Sequence, residues 1–137
     1  MKRGAALLLS IVIITLFLII SALLAKMVYN CYAGTRSVFT REQAYCYAEA
    51  GLEKGKLELT HNPNWFTALP YYLEDNASWL IKQAVGEEAS FSEGSYKIVR
   101  EKGKDHFYAV GYKGKGVVVL KLSFSGPPLR FTNWQEL

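Results

Sequence analysis

The sequence predicts an α+β fold, in which one long N-terminal helix packs on an antiparallel β-meander of three to four strands. Three observations predict it. Residues 5–25 are an uncharged apolar run, residues 26–59 continue with helical periodicity and no breaker, and from residue 95 the hydrophobic period switches to two. A chain of 137 residues has room for one compact domain plus an anchor. The part after residue 59 is close to the size at which a core is only marginally self-sufficient, so a helix from outside it is expected to complete the core.

The apolar run, AALLLSIVIITLFLIISALLA, contains fourteen Leu, Ile, Val or Phe residues. As a helix it spans about 31 Å. At roughly −0.3 to −0.6 kcal/mol for each large side chain, insertion into a bilayer gains about −4 to −8 kcal/mol. Lys2 and Arg3 precede the run, so the positive-inside rule leaves the N-terminus cytoplasmic and exports the chain beyond Lys26. Three fates are open. A cleaved secretory signal fits poorly, because the run is long and Leu23 stands three residues before a cut after Ala25. A plain signal anchor fits, and so does cleavage on the cytoplasmic side, between Gly4 and Ala5, which leaves the apolar helix attached.

Beyond Lys26, steps of four and three pick out Met27, Cys31, Gly34, Val38, Arg41, Tyr45, Ala48, Leu52, Gly55 and Leu59. The remaining faces carry most of the charge. This is the stripe of a helix lying on a core, with Met27, Val38, Tyr45, Ala48, Leu52 and Leu59 as the helix–sheet packing residues. Asn62-Pro63 ends the helix. Gly34-Thr35 is its weakest point, where a bend or a melted turn is expected. Cys31 and Cys46 lie fifteen residues apart on this helix, about 22 Å, and cannot pair with each other.

Residues 60–94 read as a connector with a short helix, 77–85, capped by Asn76 and stopped by Gly86. Strands come next at 95–101, 106–113 and 116–125, with a fourth at 129–134 after Gly126-Pro127-Pro128. The third faces the core through Val118, Leu120, Leu122 and Phe124. Short turns make the sheet, 95–137, an antiparallel meander. The apolar stripe is the only segment long enough to cover it.

No catalytic constellation emerges, and no enzymatic activity, cofactor, metal or small-molecule substrate is expected. His61 and His106 lack partners at metal-ligand spacing. The Gly111–Gly116 stretch leads into a strand, not into a helix N-terminus that cradles phosphate. The formal charge is only +4. The Lys102/Lys104 and Lys113/Lys115 turns fall at opposite ends of a meander, so nucleic acid is not an expected partner. Residues 71–95 are predominantly acidic and residues 96–130 predominantly basic, a distribution that an ordinary solvated surface of mixed charge accounts for and that also suits head-to-tail contacts between copies or related subunits.

One anchor, one spine helix and an antiparallel meander together resemble type IV pilins and pseudopilins. Lys2-Arg3-Gly4 before the apolar run looks like a prepilin-type leader, 1–4, cut after Gly4. The stretch AYCYAEAGLEKGKLEL is similar to PilX-like minor pilins, where an alanine-rich segment running into Ala-Glu-Ala-Gly is typical. It is matched here at Ala44, Ala48, Glu49, Ala50 and Gly51. Gly94-Ser95-Tyr96-Lys97-Ile98 and Trp134 also look like that group. The resemblance implies a structural subunit of a pilus, or of a related secretion or DNA-uptake filament. Its partners would be the membrane, other pilin-like subunits, the assembly platform and a prepilin peptidase. Leu9 stands where the major subunits carry glutamate, a departure that fits a minor subunit at or near the tip. A single-pass scaffold or binding protein that keeps Met1 is the competing reading.

Overall fold

A computed structural model of the chain describes residues 2–67 and 75–137. Helix α1 runs from Lys2 to His61, and the chain divides into two compact units after Ser37. In the first unit the helix is exposed on every side from Gly4 onward. It is long and apolar enough to cross a membrane, and none of its most apolar window is buried. Two hydroxyls of the apolar run are satisfied locally: Ser10 donates to the Ala6 carbonyl at 2.9 Å and Thr15 to that of Val12 at 2.9 Å. Such internal bonding is what a hydrocarbon environment demands. The turn at Gly34 does not melt. The chain stays helical there, and Thr35 Oγ1 donates to the Cys31 carbonyl at 2.9 Å. One glycine costs only about 1 kcal/mol, which a long helix absorbs. Cys31 and Cys46 are both free and exposed.

The second unit holds the rest of α1, a short helix α2 (Ala77–Lys82) and five strands: β1 (Glu87–Ser90), β2 (Ser95–Val99), β3 (His106–Lys113), β4 (Gly116–Ser125) and β5 (Arg130–Glu136). They form one sheet in the order β1-β2-β3-β4-β5, every pair antiparallel. The α+β arrangement is as predicted, with one strand more. β1 lies inside the predicted connector. Its residues, Glu-Glu-Ala-Ser, have neither alternation nor β-branching, and pairing with β2 across the Phe91–Gly94 turn makes it a strand. β3 and β4 have the predicted bounds, β2 ends two residues early, and the last strand extends to Glu136. The connector's residues 68–74, like Met1 of the predicted leader, lie outside the described residues. The 77–85 helix is shorter than predicted. Asn76 Oδ1 caps it by accepting from Trp79 N at 3.0 Å, and Gln83 and Ala84 both turn back to the Trp79 carbonyl.

Both faces of the sheet are covered. On one, Ala44, Ala48, Leu52 and Leu59 of α1 bury Ile98, Phe107, Ala109, Val118, Leu120 and Leu122. On the other, Leu80 and Ala84 bury Val99, Tyr108, Val110 and Val119. Period-two alternation in β4 thus feeds two cores, where one was expected. Phe124, expected in the first, is only partly buried against it. The second core contains a lysine. Lys97 is 4% exposed, and its ammonium donates to the Ile81 and Ala84 carbonyls at 3.2 Å each. It closes the C-terminal end of α2, where a cation and free carbonyls suit each other. Burial lowers its pKa. Tyr112 donates to the same Ile81 carbonyl at 3.0 Å.

Truncating Leu52 to alanine is expected to cost about 2–5 kcal/mol in urea unfolding, because it empties part of the first core. Glu53→Ala, which removes only a surface pair with Lys56, should stay within about 0.5 kcal/mol of the parent. Equal losses would mean that α1 does not share the core. Tyr112 supplies a pH test. Burial, and then the charge of Glu88, raises its phenol to about 12. Its contribution is therefore complete below about 10, the unfolded value, and is lost as pH rises toward the folded value. The urea midpoint of the parent should fall more steeply over that alkaline window than that of Tyr112→Phe, while Lys97 titrates alike in both. Parallel profiles would contradict it.

Candidate functional site

The predicted cleavage pair lies on the exposed surface of α1. Gly4 and Ala5 are both helical and exposed, and a Cβ built on Gly4 meets nothing within 4 Å. Packing therefore gives no reason for a glycine at this position.

The packing residues divide into two groups. Ala48, Leu52 and Leu59 are buried under the sheet, and Tyr45 is half-buried at its margin. Met27 and Val38 are 65% and 62% exposed, which corrects their assignment to the packed stripe. The reason is dimensional. A strand of eight to ten residues reaches about 26–33 Å, which covers roughly twenty residues of helix at 1.5 Å each. The predicted stripe was half as long again. Its steps, averaging 3.5 residues, also drift by about 20° per heptad around a straight helix. That drift is why Ala44 and Gly51, absent from the stripe, are buried instead.

What seats α1 is a line of small residues. A Cβ on Gly111 of β3 would lie 1.9 Å from the Ala44 carbonyl oxygen and 2.5 Å from the Ala48 nitrogen. One on Gly116 would lie 2.7 Å from the Thr40 oxygen, and one on Gly55 2.4 Å from the Phe107 ring. At Gly111 and Gly116 strand backbone touches helix backbone, and at Gly55 the helix backbone meets the Phe107 ring, so these positions admit no side chain. Sequence reasoning placed Gly111 and Gly116 within strands and did not single them out as packing positions. Their spacing of five along adjoining strands, opposite an alanine-rich helix, was the available signal.

α1 covers the middle strands and leaves β5 open. All seven β5 residues are exposed, although Phe131 and Trp134 project toward the α1 side, where the ammonium of Lys56 lies 5.7 Å from the Phe131 ring and Tyr45 meets Trp134 edge-on at 6.2 Å. A bulge contributes to this: Trp134 stands opposite Leu122 and Phe131 opposite Phe124, so Thr132 and Asn133 share one partner position. Two adjoining hollows run between α1 and β5. One, of about 250 Å³, is lined by Glu49, Leu52, Glu53, Lys56, Leu120, Leu122 and Trp134. The other, of about 230 Å³, is lined by Arg41, Glu42, Tyr45, Val118 and Glu136. Arg41 is held by Glu136 at 2.5 Å and Lys56 by Glu53 at 2.5 Å. Glu42 and Glu49 have no ion pair among the described residues. Partial desolvation, and then the charges of Glu49, Glu136 and Glu42, raise the pKa of the Tyr45 phenol. The cleft is therefore apolar at its floor, aromatic at its waist and negative along its rim.

Two further contacts fix the segments on either side of residues 68–74. Arg100, largely buried, donates to the Pro63 carbonyl at 3.0 Å, to that of Trp65, and to that of Lys104 at 3.3 Å. Its backbone bonds Thr67 on both sides. Asp75 sits at φ 58° and accepts from Lys121 at 2.7 Å and from Tyr108 at 3.3 Å. The lysine hydrogen bond is the main cause of its lowered pKa. His106 contacts only the neighbouring Asp105 carboxylate among the polar groups described, at 3.2 Å. Among the described residues no cluster of His, Cys, Asp and Glu could hold a metal ion. No family model, curated protein or solved structure matches this chain.

Proposed function

We propose that the chain is a minor-pilin-like structural subunit of a type IV pilus or a related secretion or DNA-uptake filament, positioned at the tip or in priming assembly. One observation carries this reading. The helix that is apolar and exposed on every side through residues 5–25 also supplies, from Ala44 to Leu59, one wall of the exported domain's core. A tethered anchor has no need of that economy. A subunit that must carry its domain from bilayer into fibre does, because a bundle of like helices can bury the same large side chains that lipid buries. The chain is not an enzyme on this reading. It sits in the inner membrane with its N-terminus cytoplasmic until a prepilin peptidase cuts after Gly4. The glycine there, unexplained by packing, suits a protease subsite. Leu9 in place of glutamate restricts the chain to a minor position.

Intact mass after coexpression with a prepilin peptidase tests this directly. The parent should lose its first four residues and Gly4→Arg should not. An unchanged parent mass would leave the rival reading, a single-pass scaffold that retains Met1.

A further inference from the structure

We propose that the cleft between α1 and β5 receives residues 26–39 of a second copy of this chain. The inference rests on the filament reading and names the surfaces that would meet.

The sheet face is wider than the helix that covers it. Five strands about 4.8 Å apart span roughly 19–24 Å, and a helix with its side chains covers only about 10–12 Å. The strip left over is the α1 side of β5, where Trp134 is 56% exposed. A second helix alongside α1 would cover it. Among the described residues the chain has no other helix on that face.

The chain does contain a helix of the right character. From Lys26 to Phe39 there is no acidic residue, and Lys26 and Arg36 are the only charges. Met27, Val28, Tyr32 and Phe39 are all exposed. On a helical wheel they fall within one half of the circumference, Cys31 and Val38 with them, while Lys26, Asn30 and Ser37 lie opposite. The headgroup layer beyond the hydrocarbon is only about 5–8 Å deep. It covers roughly the first five of these residues, so Tyr32, Val38 and Phe39, 66%, 62% and 61% exposed, lie beyond it.

The two surfaces agree in charge, in length and in character. The cationic segment meets a rim where Glu42 and Glu49 have no basic partner among the described residues. Its fourteen positions, about 21 Å, match the cleft's extent from residue 41 to residue 56, about 22 Å. Its apolar half meets a floor of Val118, Leu120 and Leu122. The contact joins different surfaces on the two copies, so it repeats head to tail and does not close as a dimer. Laying the helices parallel shifts one copy by about fifteen residues, roughly 22 Å along the axis. Two copies embedded at equal depth cannot adopt it, so the contact belongs to assembly, in a short series near the filament end. The same shift brings Cys31 of one copy level with Cys46 of the next.

The two native cysteines therefore report the contact. Full-length protein in detergent micelles is treated with a short bis-maleimide and resolved by denaturing electrophoresis. The parent should give a ladder of oligomers. Cys31→Ser and Cys46→Ser should each abolish it, and a mixture of the two variants should give dimers only. Arg36→Glu or Glu49→Lys alone should reduce the ladder by roughly tenfold, and the two together in one chain should restore it. Dimers that survive in Cys46→Ser alone would show symmetric Cys31 pairing and overturn the proposal, as would the absence of any cross-link. Intact mass from a peptidase-coexpressed preparation separates the two readings. A processed chain without a ladder refutes the docking alone, and a ladder on an unprocessable chain refutes the filament reading alone.

Discussion

The folded domain depends on one contact, the approach of the α1 backbone to the backbone of β3 at Gly111. A helix normally stands off a sheet by the length of two side chains. Here Ala44 and Ala48 bring little bulk and Gly111 brings none, so the carbonyl oxygen of Ala44 lies only 1.9 Å from where a Cβ would be. That closeness lets four modest side chains, Ala44, Ala48, Leu52 and Leu59, close a core over six strand residues. The remaining residues of the domain are close to the size at which a core is only marginally self-sufficient. The helix is a structural part of the domain, not a tether to it.

Much of this was legible in the sequence. The uncharged run, the end of the helix at Asn62-Pro63 and the strands 106–113 and 116–125 follow from hydropathy, from proline's missing N–H and from alternation. These are local signals, and they survive folding. The less legible features are tertiary. β1 is a strand only because β2 needs a partner. Lys97 reads as a solvated strand residue, yet it is buried because the end of α2 presents two carbonyls to it. Met27 and Val38 have the right period for the packed stripe, but periodicity carries no information on where the opposing sheet stops. The cleft was illegible for the same reason. Nothing local to Arg130–Glu136 says that α1 leaves that strand uncovered.

Polar groups do much of the remaining work. Arg100 gathers three carbonyls from the chain after α1 and from the β2–β3 turn, and stacks on Phe124 at 4.8 Å. Its Nε has no hydrogen-bond partner. Lys121 and Tyr108 hold Asp75 at the entrance to α2. With the sheet fixed from both faces, the α1–β5 margin remains the incompletely covered part of the sheet's α1 side. An uncovered margin beside a helix, acidic at the rim, occurs on a chain that also carries an exposed cationic helix face, and the two surfaces are complementary in charge.

Native-state hydrogen exchange on the full-length protein in micelles tests the central claim most directly. If α1 is a wall of the core, the amides of residues 44–59 exchange only through global unfolding, with the same free energy as those of β3 and β4. Exchange of residues 44–59 at markedly lower free energy, while the strands remain protected, would show a helix that lies against the domain without holding it together.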